Sequence, residues 1–169
     1  FFMVGDWIEK FPDSVKKIEE AGHEIASHSD THPHVTKLSY EKNVEEIEKS
    51  NDKIEKVTGK RTKIYRAPYG EYNDTVIKVA NENGYIPIQW SLDTLDYTKI
   101  TGEQMWERLK NKITAGDIIL MHNGTEHTAD SLDMIIKNIK SSGFEVARVS
   151  DIIYTENYTI DTNGTQRRK

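Results

Sequence analysis

Short apolar runs alternate with amphipathic stretches along almost the whole chain, and this alternation limits the fold more than any other feature. FFMV (1–4), HEIAS (23–27), KIYRAP (63–68), IPIQWSL (86–92), DIILMH (117–122) and FEVARVSDII (144–153) read as strands. Between them lie helical patterns. PDSVKKIEEAG (12–22) opens on Pro12 and Asp13, stops at Gly22 and carries Val15, Ile18 and Ala21 on one face. Residues 39–59 repeat Tyr40, Val44, Ile47, Ile54 and Val57 near helical spacing and close on Gly59. NDTVIKVANENG (73–84) is capped by Asn73 and closed by Gly84, and further helices are expected over 102–116 and 128–143. Six strands linked in this way predict an α/β fold of parallel strands with crossover helices, a barrel or an open sheet one unit short at its front. In such folds the chemistry gathers at the carboxyl ends of the strands.

A chain of 169 residues suffices for one domain with a real core. That domain is expected over residues 1–153, with 154–169 as a C-terminal tail whose last nine residues, DTNGTQRRK, read as frayed. The formal charge of −5 gives no basic stripe and argues against nucleic acid as a partner. The chain has no cysteine, which leaves neither disulfides nor thiolate metal sites. No apolar stretch is long enough to span a bilayer. The opening FFMVG reads as a buried strand running into a loop, with no initiator methionine and no signal peptide. The expectation is a sequence that starts within a domain, with any targeting segment outside it.

SHSDTHPH (27–34) holds three of the six histidines. His28 and His32 are four apart, but Pro33 disfavours helix at His32, and Ser29, Asp30 and Thr31 are loop formers. Two readings stand on these residues alone: a loop that brings two neutral imidazoles to one metal ion, or a solvent-exposed polar loop. His34 is placed on the rim, and His23 at the start of a strand. Three other strand ends carry polar chemistry. YRAPYG (65–70) offers Arg66, suited to orienting a carboxylate, and a chain stiffened by Pro68 that can aim the Tyr69 N–H at an oxyanion. WSLDTLDY (90–97) offers Asp93 and Asp96, the latter read as a helix cap or surface acid. ILMHNG (119–124) delivers His122, a structural histidine or, beside a buried aspartate, a general acid.

In this order HSDTHP, RAPYG, DTLDY and LMH resemble the second to fifth motifs of the polysaccharide deacetylases, the NodB-homology family or carbohydrate esterase family 4, over about residues 1–153. IQWSLDTLDY and GEQMWERLKNKITAGDIILMHN are similar to peptidoglycan deacetylases of Gram-positive, spore-forming bacteria. The resemblance implies a distorted (β/α) barrel, a divalent metal (zinc first, cobalt or another as alternatives), and removal of acetyl groups from a polysaccharide such as peptidoglycan or a chitin-like glycan, outside the cell or in its envelope. It makes His28 and His32 metal ligands. Arg66 would orient the base, the Tyr69 backbone would form part of the oxyanion hole, and Asp93 would pair with His122 as general acid. Leu120, Tyr97 and Pro68 would line the substrate site, Tyr97 standing where the family usually has tryptophan. The first motif, Thr-Phe-Asp-Asp-Gly, has no counterpart in this sequence. Its two aspartates, the base and the third metal ligand, are therefore expected on a strand upstream of Phe1. An alternative follows: an inactive fragment or glycan-binding domain, in which only Asp30, Asp93 or Asp96 could act as a surrogate base. A different metallohydrolase, such as a peptidase, is a third reading.

Overall fold

The computed structural model describes residues 1–169, which form two compact units, Phe1–Gln89 and Trp90–Lys169. In the first, β1 (Phe2–Met3), β2 (Ala26–Ser27), β3 (Ile64–Tyr65) and β4 (Ile86–Pro87) form one parallel sheet in the order β1-β2-β3-β4. The connections are helical: α1 (Gly5–Lys10) and α2 (Pro12–Glu20), α3 (Tyr40–Thr58), and α4 (Asp74–Glu82). The expected Gly59 stop and Asn73 cap are present, and Ser39 caps α3 as well. The Ser39 hydroxyl accepts from Lys42 N, the Asn73 side chain accepts from Val76 N, and Gly59 closes α3 in the left-handed conformation. Val15 is buried and Ile18 packs beside it in a cluster with Met3, Ile8, Ile25 and Ile54, while Ile47, Tyr65, Val79 and Tyr85 belong to a second cluster.

The second unit holds the parallel pair β5 (Leu92–Asp93) and β6 (Ile119–Leu120), with α5 (Gly102–Leu109) and α6 (Thr128–Ser141) packed through Met105, Leu109, Ile135 and Ile139. A short helix α7 (Val149–Ile152) and a hairpin of β7 (Tyr158–Ile160) with β8 (Gln166–Arg168) complete the chain. No helix is long and apolar enough to cross a membrane.

Several expectations are corrected. The six-residue helix α1 occupies what reads as a loop after FFMV, its first turns tied by Trp7 and Ile8 N–H groups to the Val4 carbonyl. IPIQWSL is two strands in two sheets rather than one. FEVARVSDII forms no strand: period-2 alternation needs a partner ladder, none pairs with 144–148, and Arg148 instead leads into α7 and clasps Asp151. The supposedly frayed end is a hairpin because Asp161 takes the Asn163 and Thr165 N–H groups across the turn and Gln166 bonds both ways to the Tyr154 backbone. The α/β expectation itself holds: the six strands of the first two sheets pair in parallel, four in one and two in the other.

Tyr85 supplies a pH test of the first unit. It is buried, and its hydroxyl donates to Glu48. Burial, helped by Glu48, pushes this phenol up to about 12. The fold thus favours the neutral form, so the stabilisation is complete below the ordinary phenol value of 10.0 and is lost as the pH rises toward about 12. Tyr85→Phe is expected to cost about 1 kcal/mol at neutral pH. In urea unfolding, the gap between wild type and variant should close in alkali; a gap that stays constant contradicts the assignment.

Candidate functional site

The register of the first sheet explains why its polar residues meet. Met3, Ser27, Tyr65 and Pro87 stand in one row, so Val4, His28, Arg66 and Ile88 follow together one residue beyond it. His28 N–H donates to Met3 O at 2.9 Å and Arg66 N–H to Ser27 O at 2.9 Å, which carries the sheet's bonding into the site. The His28 ring lies with Nδ1 2.8 Å from the Arg66 carbonyl oxygen. A carbonyl only accepts, so Nδ1 carries a proton, and in the neutral ring that tautomer puts the lone pair on Nε2, the arrangement that metal-binding histidines use. The His32 ring sits edge-on to it, centroids 4.9 Å apart.

The loop between them is irregular, with Ser29 and His32 at φ 66° and 59°. Left-handed backbone costs such residues about 1–2 kcal/mol each, so side chains must hold the loop. The buried Ser29 hydroxyl accepts from His32 N at 3.0 Å, and Glu46 of α3 accepts from the Asp30 and Thr31 N–H groups and from the Thr31 hydroxyl. The His34 ring stacks on Tyr69 with centroids 4.4 Å apart, and its Nδ1 lies 2.7 Å from Glu71, whose carboxyl is held below the usual carboxylate range chiefly by that contact.

Arg66 is buried with its guanidinium 3.7 Å over the Phe2 ring and one Nη donating to Gln89 O. Burial pulls its pKa down to about 10. Beyond it Pro68 is buried and starts a tight turn in which Tyr69 takes φ 58°. Gly70 and Glu71 N–H groups bond back to Ala67 and Pro68, leaving the Tyr69 N–H outside that turn's bonding, and Gln89 Nε2 pins the Gly70 carbonyl at 2.8 Å.

In the second unit, Asp96 is 1% exposed and collects three donors. The His122 N–H and the Thr128 hydroxyl reach Oδ2, and His122 Nδ1 lies 2.8 Å from Oδ1. The imidazole is partly exposed, so its Nε2 is the atom left to face outward, and the exposed Tyr97 ring lies edge-on to it. Leu120 is buried on β6, where its carbonyl accepts from the Thr94 hydroxyl. The expected pairing of Asp93 with His122 is therefore corrected. Asp93 Oδ1 instead accepts from Leu95 N at 2.8 Å. Leu95, at φ 56°, turns the chain so that Asp96 points inward. The signal was ambiguous because DTLD holds two aspartates and the left-handed residue between them is an ordinary leucine. Glu46 was missed as well, although it falls on the semi-polar stripe of α3 with the buried Asn43 and Ser50.

The three surrogate bases are engaged to different degrees. Asp30 is buried and ion-paired to Lys53 at 2.8 Å, Asp93 caps its own turn, and Asp96 is saturated. No group of three or more His, Cys, Asp or Glu side chains is poised to hold a metal.

Parallel strands ending in histidine, arginine and aspartate clusters define an α/β protein whose chemistry lies at the carboxyl ends of its sheets. The chain belongs to the polysaccharide deacetylase family, whose description, Polysaccharide deacetylase, matches residues 1–88. It is 35% identical over 153 residues to YlxY of Bacillus subtilis, covering 90% of this chain and 48% of that protein. It is 30% identical over 159 residues to the peptidoglycan-N-acetylglucosamine deacetylase of Bacillus cereus, covering 92% and 58%. A carbohydrate esterase family 4 pseudoenzyme from Bacillus anthracis superposes with a TM-score of 0.85 at 31% identity, over 90% of this chain and 54% of that one. A mutant of that pseudoenzyme with restored enzymatic activity superposes equally well. The chain thus spans about half the length of the curated relatives it matches.

Proposed function

We propose that the protein removes acetyl groups from N-acetylated sugars of a cell-envelope polysaccharide, with peptidoglycan the substrate its relatives favour, and that it uses a divalent metal, zinc first. The carrying observation is the His28–Arg66 bond, which fixes the proton on Nδ1 and orients the His28 ring beside His32. These two imidazoles fit a zinc site as two of its three protein ligands. When bound, the metal supplies a polarised acetyl carbonyl and a more acidic water.

The other groups have separate tasks. Arg66, buried and cationic, orients the carboxylate base, and the Tyr69 N–H donates to the oxygen that becomes negative. His122 delivers a proton from Nε2 to the departing amine, while Asp96 fixes its tautomer and stabilises the imidazolium. Tyr97 offers a ring to a sugar face and Leu120 an apolar surface in the second unit, and Pro68 offers an apolar surface in the first. The base and third ligand are proposed to come from an aspartate pair upstream of Phe1.

Acetate release from peptidoglycan and from chitooligosaccharide by zinc-supplied, full-length protein is the test. Release is expected, with His28→Ala reducing it at least about 10-fold, as loss of a metal-supporting group does. A second reading, glycan binding without turnover, is favoured for residues 1–169 alone by the commitment of Asp30 to Lys53 and of Asp96 to its three donors. Acetate release by that segment alone would contradict the second reading.

A further inference from the structure

We infer that Glu46 is a positioning residue for the histidine pair: its carboxylate sets the shape of the 28–32 loop and thereby its affinity for a divalent cation, an inference that rests on the metal reading of His28 and His32. Three observations converge on it. Oε2 accepts from Asp30 N at 3.0 Å and from Thr31 N at 2.9 Å, while Oε1 accepts from the Thr31 hydroxyl at 2.9 Å. The two backbone donors lie between the histidines, flanked by Ser29 and His32, whose left-handed backbone persists only where the surroundings over-determine it. Finally, Glu46 projects from inside the nineteen-residue α3, beyond its first turn, and the helix is capped at both ends, so the anchor is rigid.

The Ser29 hydroxyl closes the loop on itself, and Lys53 of α3 holds the Asp30 side chain, while Glu46 of the same helix is the side chain that holds the backbone N–H groups at the loop's centre. Such supporting bonds decide metal affinity because they hold the imidazoles in place before the ion arrives. Glu46 itself need not touch the ion. Its effect would pass through the loop backbone.

The experiment is a titration of zinc chloride into the folded, full-length protein by calorimetry, with Glu46→Leu, Glu46→Gln, Thr31→Val and His28→Ala. Glu46→Leu is expected to weaken zinc binding about 10- to 100-fold. Glu46→Gln removes the same charge but keeps an oxygen for the two N–H groups and an N–H for the Thr31 hydroxyl. It should stay within about fivefold of wild type, the worth of one exposed charge interaction. Leucine and glutamine variants that weaken binding equally would reduce the effect to charge and overturn the proposal, as would a folded leucine variant that binds like wild type. If the leucine variant does not fold, Thr31→Val decides: weaker zinc binding supports the proposal, and unchanged binding overturns it. Zinc binding that is absent in wild type, or unchanged in His28→Ala, defeats the metal reading itself and the inference with it. Weakening in His28→Ala but not in Glu46→Leu defeats the inference alone.

Discussion

Asp96→Asn is expected to lower acetate release by about two to four orders of magnitude, the range spanned by loss of general acid–base function and by loss of the carboxylate that orients a catalytic histidine. The carboxylate has two acceptor oxygens and uses both: Oδ1 for His122 Nδ1–H, Oδ2 for the His122 N–H and the Thr128 hydroxyl. An asparagine keeps one acceptor. The side chain must then either turn an N–H toward the His122 backbone donor and Thr128, or present it to His122 Nδ1. The second choice forces the other imidazole tautomer, and either choice removes the negative charge that favours the imidazolium. Asp93→Asn is expected to have a small effect, since the bond to Leu95 N needs only one oxygen. Zinc affinity should be unchanged in both variants, because the bonds of Asp93 and Asp96 go to Leu95, His122 and Thr128 and not to the histidine loop. Turnover that survives in Asp96→Asn but collapses in Asp93→Asn would restore the opposite assignment.

That contrast marks where the sequence stops being readable. The order of elements, the caps at Ser39 and Asn73 and the placement of His28, Arg66 and His122 past strand ends all follow from local chemistry, because apolar period and capping residues act within a few positions. The choice between Asp93 and Asp96 depends on a left-handed leucine, a conformation no propensity favours and only the surrounding packing can impose. Register is equally silent. The row that brings His28 beside Arg66 depends on pairing between strands separated by the whole of α3, and a slip of one residue would turn each side chain to the other face. FEVARV has the alternation of a strand yet lacks a ladder, because pattern supplies a face and not a partner. The hairpin at 158–168 was hidden for the opposite reason: its stability comes from Asp161 and Gln166 side chains bonding to backbone, with little apolar pattern to announce it.

Gly5→Ala is expected to destabilise the protein by about 1–3 kcal/mol, the usual cost of overfilling a tight contact, and to weaken zinc binding at the same time. Gly5 opens α1 and donates its N–H to Ser29 O at 3.0 Å, and the next residue donates to Asp30 O at 2.9 Å, so the start of the helix is stitched to the histidine loop. A methyl group there would stand 2.1 Å from Asp30 Oδ1 and 3.0 Å from Asp30 Cα. The carboxylate could swing away only by giving up its ion pair with Lys53, and the Cα could retreat only by stretching the two backbone bonds. Either route moves the residue midway between His28 and His32. Urea unfolding followed by circular dichroism measures the first effect, and zinc titration the second. Gly102→Ala is the control: its methyl would meet Ser131 Oγ at 2.3 Å in the second unit. It should cost stability through the α5–α6 contact and leave zinc affinity as it was. A Gly5→Ala protein as stable as wild type would mean that Asp30 yields freely, and the glycine of FFMVG would then have no hold on the loop.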